Sequence, residues 1–390
     1  MANPLAQLGA YLTPPPVILS PDYDGLEYKW KMLTFRPALF KNELYLLSAL
    51  LFYVAFYFVG KKINERRANS WFDAHLLFFG TQFTKPVQPG GLTQDGNSDY
   101  FAYSTGRRAI KSLHTTLTLR PRHDFFQWAY QTLWGLVELD YKVGDEVELD
   151  FTLKDGNIVP DCVWAVVAKD ELRSIKNKRW DLNLTKTSEH PSLPSTLSVM
   201  AEFADLTDCL FKTHGPLSLP SILSNPAIQP YFRSLSITDQ PRVRPLVPLA
   251  PSERSKHVIL SLTLPPSSQA SLTLPLITAV FQLVDVISGE GGWGIGKGPS
   301  TGGKGGNGLN ASLRPETRTK LKKAREEIEK QLKEESEREK KEEAAEEKAA
   351  AKKKAEEERL SRLSAAEQKK VLEREKKRAI RKTQGKVKAR

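Results

Sequence analysis

The chain has 390 residues, 27% of them charged, and a formal net charge of +12. Two cysteines, Cys162 and Cys209, leave no zinc module or dense disulfide framework and suit a reducing compartment, though one distant disulfide between them stays open. The basic surplus is concentrated: from Arg314 onward 28 Lys and Arg face 18 Asp and Glu, and within residues 369–390 the counts are 11 and 2, so the body is near neutral.

In chain order, the opening MANPLAQLGAYLTPPPV lacks both a basic start and an apolar run, so no cleavable signal peptide is expected there. Residues 44–60, LYLLSALLFYVAFYFVG, carry no charge and are apolar on every helical face. As a helix they extend about 26 Å, close to the thickness of a thin bilayer. They are read as one transmembrane helix. The cluster KKINERR follows at once, placing Lys61, Lys62, Arg66 and Arg67 at the membrane edge. Lys29, Lys31, Arg36 and Lys41 match it in number upstream but are less crowded against the span. The positive-inside rule therefore places residues 1–43 in the lumen and the rest in the cytosol. Sequons at Asn183 and Asn310 both follow the span and are expected to remain unmodified.

Residues 61–98 are read as a juxtamembrane basic and connecting segment, within which WFDAHLLFF is either interfacial or a first domain helix. The domain proper is expected over 99–287 as an α/β or α+β cytosolic fold. Strands are predicted at YFAYS, TTLTLR, EVELDFTL, CVWAVVA and HVILSLTLP. Helices are predicted at HDFFQWAYQTLWGLV with Asp124 as cap, at DELRSIKNKRWDL, at LSVMAEFADLTDCLFK, and at LPLITAVFQLVDVIS. The proline-dense DQPRVRPLVPLAPSER contains an RxxPxxP pattern from Arg242 and reads as a stiff connector between two strands.

Chemistry is hard to find. The histidines at 75, 114, 123, 190, 214 and 257 lack metal-ligand spacing, and the alternating Glu146, Glu148 and Asp150 read as a solvated strand face. GPSTGGKG at 298–305 has the skeleton of a phosphate-binding loop. It places glycine where a Ser or Thr hydroxyl should bind magnesium, and it lies in a Gly-rich linker spanning 288–313. No enzyme, cofactor or metal is expected.

Residues 314–390 are read as a long charged α-helix with a basic end. Pro315 suits a first turn, Gly385 a stop, and Glu-to-Lys or Glu-to-Arg pairs at i,i+4 stabilise the middle. Leu321, Ile328 and Leu332 form a brief apolar seam that fails from Lys333 onward, so a single helix about 105 Å long is expected instead of a coiled coil. Its end carries Lys369, Lys370, Arg374, Lys376, Lys377, Arg378, Arg381 and Lys382, candidates for a polyanion partner. Lys386 and Lys388 then have the KxKxx spacing of a dilysine retrieval signal.

YSTGRR at 103–108, LRPRHDFF at 119–126 with the following LWGLVELDYKVGDEVELDFTL, and RLSAAEQKKVLEREKKRAIRK at 362–382 resemble the coiled-coil domain-containing protein 47 family, also called calumin. The resemblance implies an endoplasmic reticulum membrane protein of the PAT complex, paired with a small membrane partner resembling Asterix. It further implies a place beside the Sec61 translocon, contact between the charged helix and ribosomal RNA, and assistance to multipass membrane proteins as a chaperone of insertion. The long acidic lumenal segment linked to calcium in that family has no counterpart here, so calcium binding is not carried over. Ribosomal RNA is thus the leading partner of the basic end and DNA is disfavoured. The alternative is a membrane-anchored structural tether whose basic tail binds anionic lipid or RNA.

Overall fold

The computed structural model describes residues 25–31, 33–37, 41–138, 141, 143–154, 159–212, 218–250, 253–289 and 309–361. Their organisation is two compact units, one drawn from 1–243 with 254–319 and one from 244–253 with 320–390.

A small antiparallel hairpin, β1 (Tyr28–Trp30) with β2 (Leu33–Phe35), comes first. It is followed by α1 (Lys41–Gln82), one continuous 42-residue helix. The uncharged stretch, the basic cluster and WFDAHLLFF are therefore parts of a single rod. Its two halves have opposite surroundings. Leu44, Tyr45, Leu50, Leu51 and Phe58 are exposed, whereas Ala68, Trp71, Phe72 and Phe79 are buried.

The main sheet has nine strands in the order β3-β4-β5-β6-β11-β10-β7-β9-β8, with antiparallel neighbours throughout. These are β3 (Thr93–Asp95), β4 (Asp99–Ser104), β5 (Ile110–Thr118), β6 (Glu146–Leu153), β7 (Trp164–Ala168), β8 (Lys186–Ser188), β9 (Leu197–Ala201), β10 (Phe232–Thr238) and β11 (His257–Thr263). Helices α2 (Phe125–Val137), α3 (Leu172–Lys178), α4 (Ala204–Phe211) and α5 (Leu219–Leu223) lie between them, and α6 (Leu274–Ser288) follows the last strand. A sheet with no parallel pair resolves the fold class to α+β.

Two differences from the sequence reading have physical causes. LSVMA was expected to start a helix and is instead β9, all five residues buried between β7 and β8. A short apolar run buried on both faces has no alternation to separate strand from helix. Residues 61–98 also do more than connect: Trp71, Phe72, Phe79 and Phe83 enter the core and β3 forms a sheet edge. The proline-dense stretch does link two strands, β10 and β11, which pair antiparallel.

Phe281 of α6 is the centre of the core. Its ring meets Phe151 of β6 at 5.0 Å, Phe78 at 5.2 Å and Phe83 at 5.7 Å, while the Arg107 guanidinium lies over it at 5.1 Å. Arg107 is held there by Asp285 at 2.5 Å and by Gln82. Gly106, at φ +98°, has Thr84 Cβ 2.7 Å from where a side chain would begin, so the GRR turn needs its glycine. With the 3-10 turn before it, α6 belongs to a stretch, Ser267–Ser288, that is by length and composition long and apolar enough to cross a bilayer, but its Leu276, Ile277, Val280 and Val284 are fully buried. It is a core helix.

Both cysteines are free thiols. Short helix α7 (Leu309–Ser312) leads into α8 (Pro315–Ser361), a 47-residue charged helix. The Asp205 carboxylate on α4 accepts from the Arg314 backbone N–H at 3.1 Å and from the Thr317 hydroxyl at 2.8 Å, which ties the root of α8 to the body. Along α8, Leu321, Arg325, Leu332 and Ser336 are buried, and from Glu337 to Lys348 the side chains are exposed. Arg244 pairs with Glu335 beside this stripe.

Candidate functional site at the membrane edge

The point where α1 changes environment is built around Gly60. A Cβ there would lie 1.8 Å from the Arg122 carbonyl oxygen and 2.7 Å from the His123 nitrogen, so the loop before α2 presses directly on the helix backbone. One turn on, Asn64 is fully buried. Its Nδ2 donates to the Asn97 and Arg120 carbonyls at 3.0 and 2.9 Å, and its Oδ1 accepts from Arg122 at 3.0 Å. A buried amide with three partners fixes both the helix rotation and the loop.

The next turn supplies a charge. Asp145, with its side chain 4% exposed, accepts two bonds from the Arg122 fork at 2.8 and 2.9 Å, one from the Arg120 backbone N–H at 3.0 Å, and pairs with Arg67 at 2.8 Å. Burial pushes its carboxyl up, but the bonds from Arg122 and Arg120 and the charges of Arg122 and Arg67 outweigh this and hold it below the ordinary value.

The four basic residues expected at the membrane edge therefore separate. Lys62 and Arg66 are exposed and Lys61 is half-buried. Arg67 points into the domain, where its guanidinium also donates to the Leu264 carbonyl at 3.4 Å, so it is a structural cation and not a free edge charge. Residues 369–390, with Lys369, Lys370, Arg374, Lys376, Lys377, Arg378, Arg381, Lys382, Lys386 and Lys388, lie outside the described residues. So does the GPSTGGKG stretch.

α2 starts at this collar. Asp124 caps it, its carboxylate accepting from the Phe126 and Gln127 backbone N–H groups at 3.0 and 3.2 Å. The helix then packs on the apolar half of α1 through aromatic edges: Phe125 on Phe56 at 5.4 Å and on Phe52 at 5.8 Å, Phe126 beside Tyr53 at 5.9 Å, and Trp128 beside Phe56 at 6.2 Å. None of its residues is buried. Sequence reasoning had made α2 an ordinary element of the body. Its 13 residues are uncharged and include two tryptophans, the signal that sets it apart from the other domain helices.

Elsewhere the polar groups hold the sheet. The face formed by Glu146, Glu148 and Asp150 is an ion-pair ladder, with Arg233 on Glu146 at 2.5 Å, Arg242 on Glu148 at 2.5 Å and His257 Nδ1 on Asp150 at 2.7 Å. This engages the arginine that an RxxPxxP ligand would have to present. Ser255 Oγ lies 2.6 Å from His257 Nε2, which completes a Ser-His-Asp connection. The contact follows from register, since residues i and i+2 of an extended strand share a face. Arg242 also approaches Asp150, at 3.6 Å, so the carboxylate is shared with the ladder and not dedicated to the imidazole. Among the described residues no group of three or more His, Cys, Asp or Glu is placed to hold a metal ion.

A family model described as PAT complex subunit CCDC47 matches residues 39–382. The chain belongs to that family. Its similar relatives include a UPF0674 endoplasmic reticulum membrane protein of Schizosaccharomyces pombe, 29% identical over 53% of this chain and 56% of that protein. The PAT complex subunit CCDC47 of Xenopus laevis is 23% identical over 63% and 52%, and that of Homo sapiens is 24% identical over 44% and 37%. The chain thus matches about half, or less, of the length of these relatives. These relationships support a role in the endoplasmic reticulum membrane. The CCDC47 family match takes in α1, the Gly60 collar, α2 and the sheet, and runs on through Lys382.

Proposed function

We propose that the chain is a single-pass endoplasmic reticulum membrane protein that works beside the ribosome and the Sec61 translocon, assisting insertion and folding of multipass membrane proteins. In this reading it acts within a PAT-type complex with a small membrane partner resembling Asterix. Residues 1–43 face the lumen and everything after 60 faces the cytosol. The observation that carries the reading is the family match from residue 39 to residue 382, which takes in the apolar half of α1, the folded body, the charged helix and most of the basic block. Lys369 to Lys382 meet ribosomal RNA by charge, and Lys386 with Lys388 return the protein to the endoplasmic reticulum.

Co-sedimentation of membrane-derived ribosomes tests the first part. Truncation after Leu363 is expected to leave membrane integration intact and to abolish salt-sensitive co-sedimentation. Unchanged co-sedimentation rejects the ribosome reading. Flotation of the truncated and full chains with anionic vesicles at equal salt identifies a lipid tether instead, if the tail drives flotation and not sedimentation. Topology is tested at Asn183, which is exposed in the Asp181–Leu184 turn. A glycan there reverses the orientation.

A further inference from the structure

The geometry points to a second membrane element: we propose that α2 is embedded in the bilayer leaflet adjoining the folded body, as an aromatic half-span wedge beside the transmembrane segment. The proposal rests on residues 44–60 being in the membrane, and it concerns a helix the sequence reading had assigned to the domain.

Depth comes first. Gly60 marks the level at which the folded body closes on α1. Phe56 and Phe52 lie four and eight residues further into the apolar half, about 6 and 12 Å along the axis. The chain descends along them: His123 stands beside Tyr57 at 6.1 Å, Phe125 meets Phe56 and Phe52, and Phe126 meets Tyr53. If 44–60 spans the bilayer, the start of α2 lies within the hydrocarbon of one leaflet, whose half-thickness is about 15 Å. Its 13 residues reach about 20 Å and cannot cross.

Polarity agrees. Asp124, Gln127, Gln131 and Glu138 fall at i, i+3, i+7 and i+14, a single narrow stripe. Around it Phe126, Tyr130, Leu133, Leu136 and Val137 are between 61% and 77% exposed. A narrow polar stripe on a broad apolar, Trp-bearing surface is the pattern of a helix lying at the hydrocarbon boundary. Two polar groups off the stripe bond within the helix. The Trp134 indole N–H donates to Glu138 Oε2 and the Thr132 hydroxyl donates to the Trp128 carbonyl, each at 2.8 Å. Hydrocarbon requires such internal pairing and water does not. The occupant of this surface is lipid acyl chain, because the apolar face of α2 is continuous with the exposed face of the span.

The experiment uses the full chain, with Cys162→Ala and Cys209→Ala, in phosphatidylcholine vesicles containing a fifth phosphatidylserine. Single cysteines replacing Leu133, Leu136, Leu51 of the span or Val243 of the exposed connector carry an environment-sensitive dye. Leu133 and Leu136 are expected to be quenched at least threefold more by shallow doxyl-labelled lipid than by aqueous iodide, with Val243 showing the reverse. If Leu133 and Leu136 behave as Val243 while Leu51 is lipid-quenched, the wedge is rejected and the span stands. If Leu51 also escapes lipid quenching, the span reading fails and the wedge with it. Protection from both quenchers means a second copy covers the helix, which equally overturns the proposal. In the chain with no cysteine replaced, brominated lipid is expected to quench tryptophan emission, and Trp128→Phe with Trp134→Phe to remove most of that quenching. Unchanged quenching rejects the wedge.

Discussion

A Cβ at Gly60 would lie 1.8 Å from the carbonyl oxygen of Arg122, so this turn of α1 and the loop before α2 touch backbone to backbone. Gly60→Ala forces the two apart. The expected cost is about 1–3 kcal/mol, the range for overpacking a tight contact. Because Arg122 also binds Asp145, the Gly60→Ala chain should show earlier protease cleavage near residues 119–124 than the unaltered chain.

Asp145 anchors Arg67 and Arg122, whose side chains are only 24% and 22% exposed. Asp145→Ala leaves two cations without their counter-ion and is expected to destabilise by about 3 kcal/mol, the lower part of the range for breaking a buried pair. Thermal unfolding in detergent measures it. Asp145→Asn should lose nearly as much, since it keeps shape but not charge. The native carboxyl titrates below the unfolded value of about 3.9. Its stabilisation is therefore complete above that value and is lost as pH falls through the lower folded one.

His75 behaves oppositely to a paired histidine. Its Nδ1 donates to the Trp71 carbonyl at 2.8 Å, its Nε2 accepts from the Thr273 hydroxyl at 3.1 Å, and Thr273 in turn accepts from the Trp71 indole at 3.2 Å. The cycle uses the neutral ring, and burial holds the imidazole below its ordinary value despite the Trp71 bond. The unfolded chain thus binds a proton that the folded one resists. Stability should fall as pH drops below about 6.5. His75→Phe is expected to lower stability at pH 7.5 and to flatten its slope between pH 7 and 5. A slope identical to that of the unaltered chain would remove His75 as the cause.

Asp205→Ala removes the acceptor for Arg314 N–H and the Thr317 hydroxyl. Helix-cap losses run about 0.5–2 kcal/mol. Hydrogen exchange at the first turn of α8 is expected to rise about tenfold, with β6 and β11 unaffected. Equal exchange in both chains would show that the tie does not hold the helix root.

Legibility followed the physics of each element. EVELDFTL was readable to the residue because one of its faces is core and the other an ion-pair ladder, which produces strict alternation. LPLITAVFQLVDVIS was equally clear and was rightly placed in the domain, although the longer stretch Ser267–Ser288 that contains it passes for a membrane helix by length and composition just as α1 does. LSVMA was misread because a strand buried on both sides has no period. β10 was not picked out, its FRSLSIT mixing serines into a strand that is buried at six of seven positions.

The sequence alone determined the local and additive properties: an uncharged 17-residue run, a basic end, a helix-forming charged stretch and the strands whose faces differ. These depend on each residue's own transfer energy and its neighbours at fixed spacing. Tertiary structure decided which charges are spoken for and which apolar surfaces the fold leaves exposed. Arg67 and Lys62 sit five residues apart in one cluster, but only Arg67 meets a buried carboxylate, contributed from residue 145. Likewise α2 and α6 are both apolar helices, and long-range packing buries one in the core while leaving the other exposed against the apolar half of α1. Such pairings bring together residues scores of positions apart, so no window of sequence contains them.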